Sequence, residues 1–363
     1  MTRSKVLIGL SGGVDSSVAA ALLKEKGHDV IGVTLKLYDY ETVGFDPQDD
    51  ACCSLNMVED ARSVCNKLGI PHYVIDMRKQ FENMVVKDFV EQYLIGRTPN
   101  PCINCNRFIK WGEMLKTAEV LNCEFIATGH YARIVAVVNR LYLCKANDSA
   151  KDQSYALWGI PKNYLGKTMF PNGGFLKSEI RELAAKFGFR NADRPESQEI
   201  CFVPDGHYGN LLKLKKSDTQ TFKEGPIYDL QGNQVGIHKG YVNYTIGQRR
   251  GLGISSPRPL YVTKINAQDN SLTVGAADDL LAHRLTANNL NYLIGPEEIP
   301  VNIKVKIRYK HNEAAARVEN ITNDSISVYF ESPQRAITPG QSAVLYDGDR
   351  VIGGGIIDSI GQN

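Results

Sequence analysis

No apolar run in this 363-residue chain approaches the length needed to cross a bilayer, which excludes a membrane-spanning helix. The opening Met-Thr-Arg-Ser-Lys leads directly into a short apolar run with no signal-peptide core, so cytoplasmic residence with no membrane partner is the expectation. Neither sign of charge is in excess: 42 Lys and Arg against 40 Asp and Glu leave a net charge of +2. That excludes a globally basic coat and still permits a local basic track for nucleic acid. Eight cysteines in a chain of this size and setting do not make a disulfide framework; catalysis, metal binding and burial are the readings that remain. Internal repeats and low-complexity segments are absent. What remains is ordinary for a globular protein, with 43% hydrophobic and 23% charged residues and enough chain for two or three domains.

Against that background Gly9-Leu10-Ser11-Gly12-Gly13-Val14-Asp15-Ser16-Ser17 stands out, running straight out of the apolar residues 6–10. It reads as a strand, a glycine-rich turn and the start of a helix. The first N–H groups of a helix lack internal partners and its dipole is positive there, so anionic oxygens bind. Gly12 and Gly13 let the backbone approach a phosphate, and Ser11, Ser16 and Ser17 add hydroxyl donors. Asp15 beside phosphates is repulsive unless a cation lies between them, which points to Mg²⁺. Gly-Lys-Ser/Thr is missing, so this is not the Walker loop. The string resembles instead the PP-loop, Ser-Gly-Gly-x-Asp-Ser, of enzymes that cleave ATP between the α and β phosphates.

Around it, strand candidates at residues 6–10, 30–35, 72–75 and 125–127 alternate with helix candidates at 17–26, 55–68, 81–94 and 108–121. Such alternation predicts a doubly wound parallel α/β sheet, whose ligands sit beyond the carboxyl ends of the strands. Residues 166–214 read as mostly helical and close this catalytic domain, 1–214. Short alternating runs broken by Gly, Pro, Asn and Asp then predict a small central β domain, 215–287, and a C-terminal β-barrel, 288–363. Residues 301–310 alternate without a break, with Lys304, Lys306, Arg308 and Lys310 on one face of the expected strand.

The segment Asn100-Pro101-Cys102-Ile103-Asn104-Cys105 presents a Cys-x-x-Cys pair after two prolines and just before a helix, where the dipole favours thiolate. Half of a structural zinc site is one reading, but the adjacent Cys52-Cys53 makes a poor second half. A thioredoxin-like pair fits the spacing and not the prolines. A reactive pair acting on a bound substrate fits best. Cys201 lies in the polar run Glu196-Ser197-Gln198-Glu199-Ile200-Cys201-Phe202, unlike Cys65 and Cys123, which read as core residues. Three smaller signals are Thr128-Gly129-His130-Tyr131 off the last strand, Lys151-Asp152-Gln153 at a helix start, and the basic turn Gly247-Gln248-Arg249-Arg250-Gly251. Taken alone, His130 is more often structural, and the basic turn serves a solvated loop as well as an RNA contact.

Taken in order along nearly the whole chain, these segments resemble the tRNA 2-thiouridylase family, which replaces the C2 oxygen of the wobble uridine with sulfur. The resemblance implies that ATP on the PP-loop adenylates uracil O2 and that a persulfide sulfur then attacks C2. It implies Cys105 as nucleophile and Cys201 as the persulfide-bearing cysteine, with a disulfide between them resolving the product. ATP contacts are implied at Gly9, Leu10, Ser11, Gly12, Gly13, Val14, Asp15, Ser16, Leu35 and Gly129. Contacts to tRNA are implied at Asn100, Pro101, Cys102, His130, Lys151, Asp152, Gln153, Arg308, Tyr309 and Gln341. A cysteine desulfurase or sulfur-relay protein is the implied sulfur donor.

One departure bears on mechanism. Many members carry Asp where this chain has Cys102, so no role of that carboxylate transfers. The exchange gives three thiols, Cys102, Cys105 and Cys201, which suit a 4Fe–4S cluster with one open iron as a second reading behind the persulfide route. The competing functions are a PP-loop amidating ligase and a non-catalytic RNA-binding or sulfur-relay scaffold. The first needs a glutaminase or ammonia route that the chain does not display, and the intact PP-loop argues against the second.

Overall fold

The computed structural model describes residues 3–39, 43, 55–192, 200–203, 208–216 and 220–361. They form two compact units: Met1–Val85 with Cys102–Gly206 and Asp349–Ile352, and Val86–Pro101 with His207–Gly348 and Gly353–Asn363.

The first unit is built on a parallel sheet. Strands β1 (Lys5–Gly9), β2 (Asp29–Lys36), β3 (His72–Asp76) and β4 (Phe125–Ala127) are joined by β7 (Thr168–Met169) in the order β3-β2-β1-β4-β7. Between β4 and β7 the chain makes a hairpin, β5 (Ala132–Val137) and β6 (Arg140–Lys145). Val6, Leu7 and Ile8 of the central strand are fully buried, as a strand covered on both faces requires. Helix α1 (Val14–Glu25) carries Val18, Ala19, Ala20 and Ala21 without exposed surface. Its small side chains let it lie close on the sheet, and its apolar residues run all round rather than on one stripe. Helix α2 (Leu55–Leu68) adds Ala61 and Cys65 to the same core. Strand order reverses at β1, between β2 and β4, so the loop leaving β1 opens at the point where such sheets bind ligands.

The second unit holds two β assemblies. A mixed four-stranded sheet has the order β10 (Tyr261–Asn266), β11 (Ser271–Gly275), β8 (Glu224–Tyr228), β9 (Gln234–Lys239), with β11 and β8 parallel. A six-stranded barrel runs β12 (Leu281–Tyr292), β15 (Ser325–Arg335), β14 (Ala314–Ile321), β13 (Asn302–Lys306), β16 (Ser342–Asp347), β17 (Arg350–Gly361), and closes through the β12–β17 pairing.

Three expectations change in detail. The barrel takes in residues from Leu281 rather than 288. Asn288 and Asn289, at the expected boundary, form a bulge inside a continuous strand, with Asn289 at φ 53°. The helix Lys87–Leu94 belongs to the second unit, where Tyr93 stacks on Tyr208 with ring centroids 4.6 Å apart and Tyr241 donates to the Leu94 carbonyl. The basic strand is shorter than its alternation suggests. β13 ends at Lys306 and the chain turns through Arg308, Tyr309 and Lys310, so only Lys304 and Lys306 share a strand face.

Candidate active site

Gly13 precedes α1 in an extended conformation and no side chain caps the helix, which leaves its first N–H groups as donors for an anion. Gly12 has φ 77°, and a Cβ there would lie 2.4 Å from the Met57 carbonyl oxygen, so α2 presses the loop into shape and admits only glycine. The hydroxyls divide their work. Ser16 and Ser17 both donate to the Gly13 carbonyl, at 3.0 and 2.9 Å, and are buried. Ser16 Oγ also accepts the Ser11 N–H at 3.2 Å, and Ser11 is exposed. Ser16 and Ser17 therefore hold the loop, and Ser11 is the hydroxyl that faces outward.

Four side chains complete the loop, and of these only Tyr131 lies in a segment that the sequence singles out. Asn191, 4% exposed, donates through Nδ2 to the Gly12 carbonyl at 2.6 Å and to Ser17 Oγ at 3.0 Å. Asn172, fully buried, donates to the carbonyls of Asp15 and Gly129 at 2.9 and 3.1 Å. Lys177 Nζ grips both Asp15 carboxylate oxygens, at 2.7 and 2.9 Å, and Tyr131 donates to Oδ1 at 2.6 Å. Lys177 is only 8% exposed and opens the helix Lys177–Lys186. A lysine in the first turn opposes the helix dipole, and that anomaly was the one local sign that it serves another partner.

The cation beside Asp15 is thus the Lys177 ammonium. With its carboxylate bound by Lys177 and Tyr131, Asp15 does not fit as an anchor for Mg²⁺, and the donors around the loop are N–H and O–H groups suited to phosphate oxygens. Gly129 stands against α1, where a Cβ would lie 2.6 Å from Ser16 N, so the turn after β4 borders the loop directly. Leu35 sits at the carboxyl end of β2, two residues past Val33, whose carbonyl accepts the Leu10 N–H at 2.7 Å. Gly9, Leu10, Ser11, Gly12, Gly13, Val14, Asp15, Ser16, Leu35 and Gly129 are therefore gathered at one end of the sheet.

The cysteines lie in the same unit. The helix begins at Pro101, so exposed Cys102 occupies its first turn and Cys105 begins a π-helical run, Cys105–Met114. Burial pushes the Cys105 thiol up and the Lys110 ammonium opposes it, so the dipole-lowered thiolate expected for the pair is not the resting form of Cys105. The Cys201 backbone is held by Tyr38, which donates to its carbonyl at 2.5 Å, and the next residue, Phe202, packs edge-on against Phe81 at 5.4 Å. Cys105 and Cys201 are both partly exposed, whereas Cys65, Cys123 and Cys144 are buried. Burial pushes the Cys65 thiol up to about 12. Among the described residues no three of His, Cys, Asp and Glu come together to hold a metal ion, so Cys102, Cys105 and Cys201 do not fit a cluster site in this arrangement. Cys52, Cys53 and residues 193–199 lie outside the described residues.

The remaining candidates are placed as follows. His130 accepts from Lys110 Nζ at Nε2, at 3.3 Å, and donates from Nδ1 to Thr128 Oγ1 at 2.7 Å. Burial and the Lys110 charge hold its ring well below the ordinary histidine range, hence neutral. Asp152 accepts from the N–H groups of Ala146 and Ser154 and from the Ser154 hydroxyl, while Gln153 accepts the Tyr131 N–H at 2.9 Å; Lys151 lies beside them. Those bonds fix Tyr131, and through it Asp15. In the second unit Gln341 donates to the Thr98 carbonyl at 2.8 Å, and Thr98 N–H donates to the Pro339 carbonyl at 3.0 Å. Gln341 thus anchors the stretch that leads into Asn100 and Pro101. Arg308 donates to the Arg335 carbonyl at 2.9 Å, and Lys306 lies over the half-exposed Tyr309 ring.

Comparison with known proteins agrees along the whole chain. Residues 4–205 match the tRNA methyl transferase HUP domain, residues 216–276 the tRNA methyl transferase PRC-barrel domain and residues 282–357 the aminomethyltransferase beta-barrel domain. The chain is 46% identical over 355 residues to the tRNA-specific 2-thiouridylase MnmA of Lachnoclostridium phytofermentans, covering 97% of this chain and 99% of that protein. It is 48% identical to tRNA-specific 2-thiouridylase MnmA 2 of a Thermoanaerobacter species, covering 98% of each. With the protein of that name from Acetivibrio thermocellus it shares 45% identity, over 98% of this chain and 100% of the relative.

Proposed function

The chain belongs to the tRNA-specific 2-thiouridylase family, and from that premise we propose that it makes 2-thiouridine at the wobble position of tRNA by ATP-driven adenylation followed by sulfur transfer from a cysteine persulfide. The observation that carries the reading is one unit holding both an uncapped, serine- and glycine-lined helix N-terminus and two partly exposed cysteines far apart in sequence.

ATP lies with its phosphates against Ser11 and the first N–H groups of α1, and its adenosine end toward Leu35 and Gly129. Uracil O2 attacks the α phosphorus and pyrophosphate leaves, its charge taken up by the same donors. The terminal sulfur of a Cys201 persulfide bonds to C2, and AMP departs with the former O2. The Cys105 thiolate then attacks the inner sulfur of Cys201. The C2-bound sulfur stays on the base as 2-thiouridine, and the Cys105–Cys201 disulfide left behind is reduced before the next cycle. A cysteine desulfurase or a sulfur-relay protein supplies the persulfide. Cys102, His130, Lys151, Asp152 and Gln153 of the first unit contact tRNA, and so do Asn100, Pro101, Arg308, Tyr309 and Gln341 of the second.

The test is nucleoside mass spectrometry on unmodified tRNA incubated with ATP and a persulfide donor, with pyrophosphate followed in parallel. Wild-type protein should form 2-thiouridine and pyrophosphate together. Pyrophosphate without tRNA dependence, or thiolation that survives Cys201→Ser, would remove the proposal.

A further inference from the structure

From Cys105 to Met114 the helix is π-helical, a register in which an N–H bonds to the carbonyl five residues back. In an α-helix of 3.6 residues per turn, residues five apart point roughly 140° away from each other. In the π register the fifth residue instead sits one turn above the first, on the same side. Cys105 and Lys110 are such a pair.

Lys110 is held in place from two directions. Nζ donates to Asn106 Oδ1 at 2.8 Å and to His130 Nε2 at 3.3 Å. Asn106 is 2% exposed and fixed by its own bond to the Ala156 carbonyl, at 2.7 Å. His130 reaches Lys110 from the turn after β4 and is fixed by Thr128. Both acceptors are neutral, so neither cancels the ammonium. Among the described residues Lys110 is the charged group acting on the Cys105 thiol, and His130 is the titratable group facing Lys110 from a neighbouring element.

We propose that the π register serves to hold the Lys110 ammonium beside the Cys105 sulfur, and that Lys110 is the positioning residue that stabilises the Cys105 thiolate. When the S–H bond breaks, the proton passes to water and the electron pair stays on sulfur next to the ammonium. The proposal deepens the sulfur-transfer reading and rests on it only for what the thiolate is used for.

The test needs neither ATP nor tRNA. Alkylation of the full chain by iodoacetamide is followed from pH 6 to 10 by mass spectrometry of the Cys105 and Cys201 peptides, in the wild type, Lys110→Met, Lys110→Gln and Lys110→Arg. Thermal melting verifies folding, and two neutral variants of different shape keep the measurement alive if one unfolds. In the neutral variants the half-maximal pH for Cys105 should rise by about one unit, which is roughly tenfold slower alkylation at neutral pH. Lys110→Arg should stay near the wild type, and Cys201 should not move in any variant. An unchanged Cys105 profile in a folded neutral variant overturns the assignment. So does an Arg variant displaced as far as the neutral ones, since shape and not charge would then be responsible. If thiolation fails to depend on Cys105 at all, the sulfur-transfer reading falls while this measurement still stands.

Discussion

The phosphate loop and the cysteine helix are both helix starts in the same unit, and they are built on opposite plans. The loop works through backbone N–H groups, and distant side chains only hold its shape: Asn172, Lys177 and Asn191 all reach it from more than 150 residues away. The cysteine helix works through one side chain whose chemistry depends on its neighbours. Its thiol is raised by burial and relieved by a lysine five residues on. A site made of backbone tolerates little except glycine and serine, so its sequence is stereotyped. A site made of a thiol in an electric field leaves no such signature, because the field comes from wherever the fold places a charge.

The sharpest way to break this comparison is to remove each sulfur. Cys105→Ser and Cys201→Ser should each abolish 2-thiouridine formation, to the detection limit of nucleoside mass spectrometry, while pyrophosphate release with tRNA persists. Cys65→Ser should leave both readouts near wild type, because a fully buried thiol pushed up to about 12 takes no part in exchange. Loss of pyrophosphate release in Cys105→Ser would mean that the two sites are not separable.

On the loop side the largest effect belongs to Lys177. Lys177→Met leaves the Asp15 carboxylate with the Tyr131 hydroxyl and no counter-charge beside the phosphates it should admit, and charged hydrogen bonds of this sort are worth about 1.5–3 kcal/mol. Pyrophosphate release should fall roughly tenfold to a hundredfold, with the loss mainly in the KM for ATP. Asp15→Asn combined with Lys177→Met should recover part of it. If the double variant is no better than the single, charge pairing is not what Lys177 contributes.

These two regions also divide what was legible in the sequence. Four strands of the parallel sheet with the helices between them, the loop at the carboxyl end of β1 and the β character of the C-terminal part follow from the pattern of apolar residues, whereas the two-residue β7 lies in the stretch 166–214 that reads as mostly helical. Lys177, Asn172 and Asn191 were not legible, because sequence spacing carries no information on pairs 150 residues apart. Lys110 stood in plain view near Cys105, yet α-helical spacing puts it on the wrong face, and only the π register brings it round. The ion pair at Asp15 was hidden for a related reason: its lysine is supplied by another helix. That one strand runs through residue 288 was not legible either, because a bulge at Asn288 and Asn289 lets it continue.

A smaller effect concerns pH. His72, His130, His238 and His311 are all held below the ordinary histidine value, in each case chiefly by burial. Unfolded, they take up protons below about pH 6.5; folded, they resist until lower pH, so stability is present above that value and is lost as pH falls below it. The urea midpoint should therefore drop between pH 7.5 and 5.5. His130→Asn should flatten that dependence by up to about one proton. A pH-independent midpoint in the wild type would show that these rings protonate in the folded chain.

The smallest expected effect tests whether the second unit meets tRNA by charge alone. β13 ends at Lys306, so Lys304 and Lys306 are about two residues, or roughly 6.5–7 Å, apart along one face, close to the phosphate spacing of an RNA strand. Arg308 lies past the strand end and is tied to the Arg335 carbonyl, which fixes where its guanidinium stands. Contacts of this kind displace counterions and read no base. Arg308→Ala should then weaken tRNA binding several-fold and lower the slope of log K against log salt by about one unit, and Lys304→Ala should do the same. Neither change should alter ATP affinity or which uridine is thiolated. Arg308→Lys separates the two roles of the residue, since it keeps the charge and loses the guanidinium geometry. If Lys restores the slope, charge at that position is what tRNA senses. If both Arg308 variants and Lys304→Ala bind with the wild-type slope, the row is a solvated face and tRNA is held elsewhere.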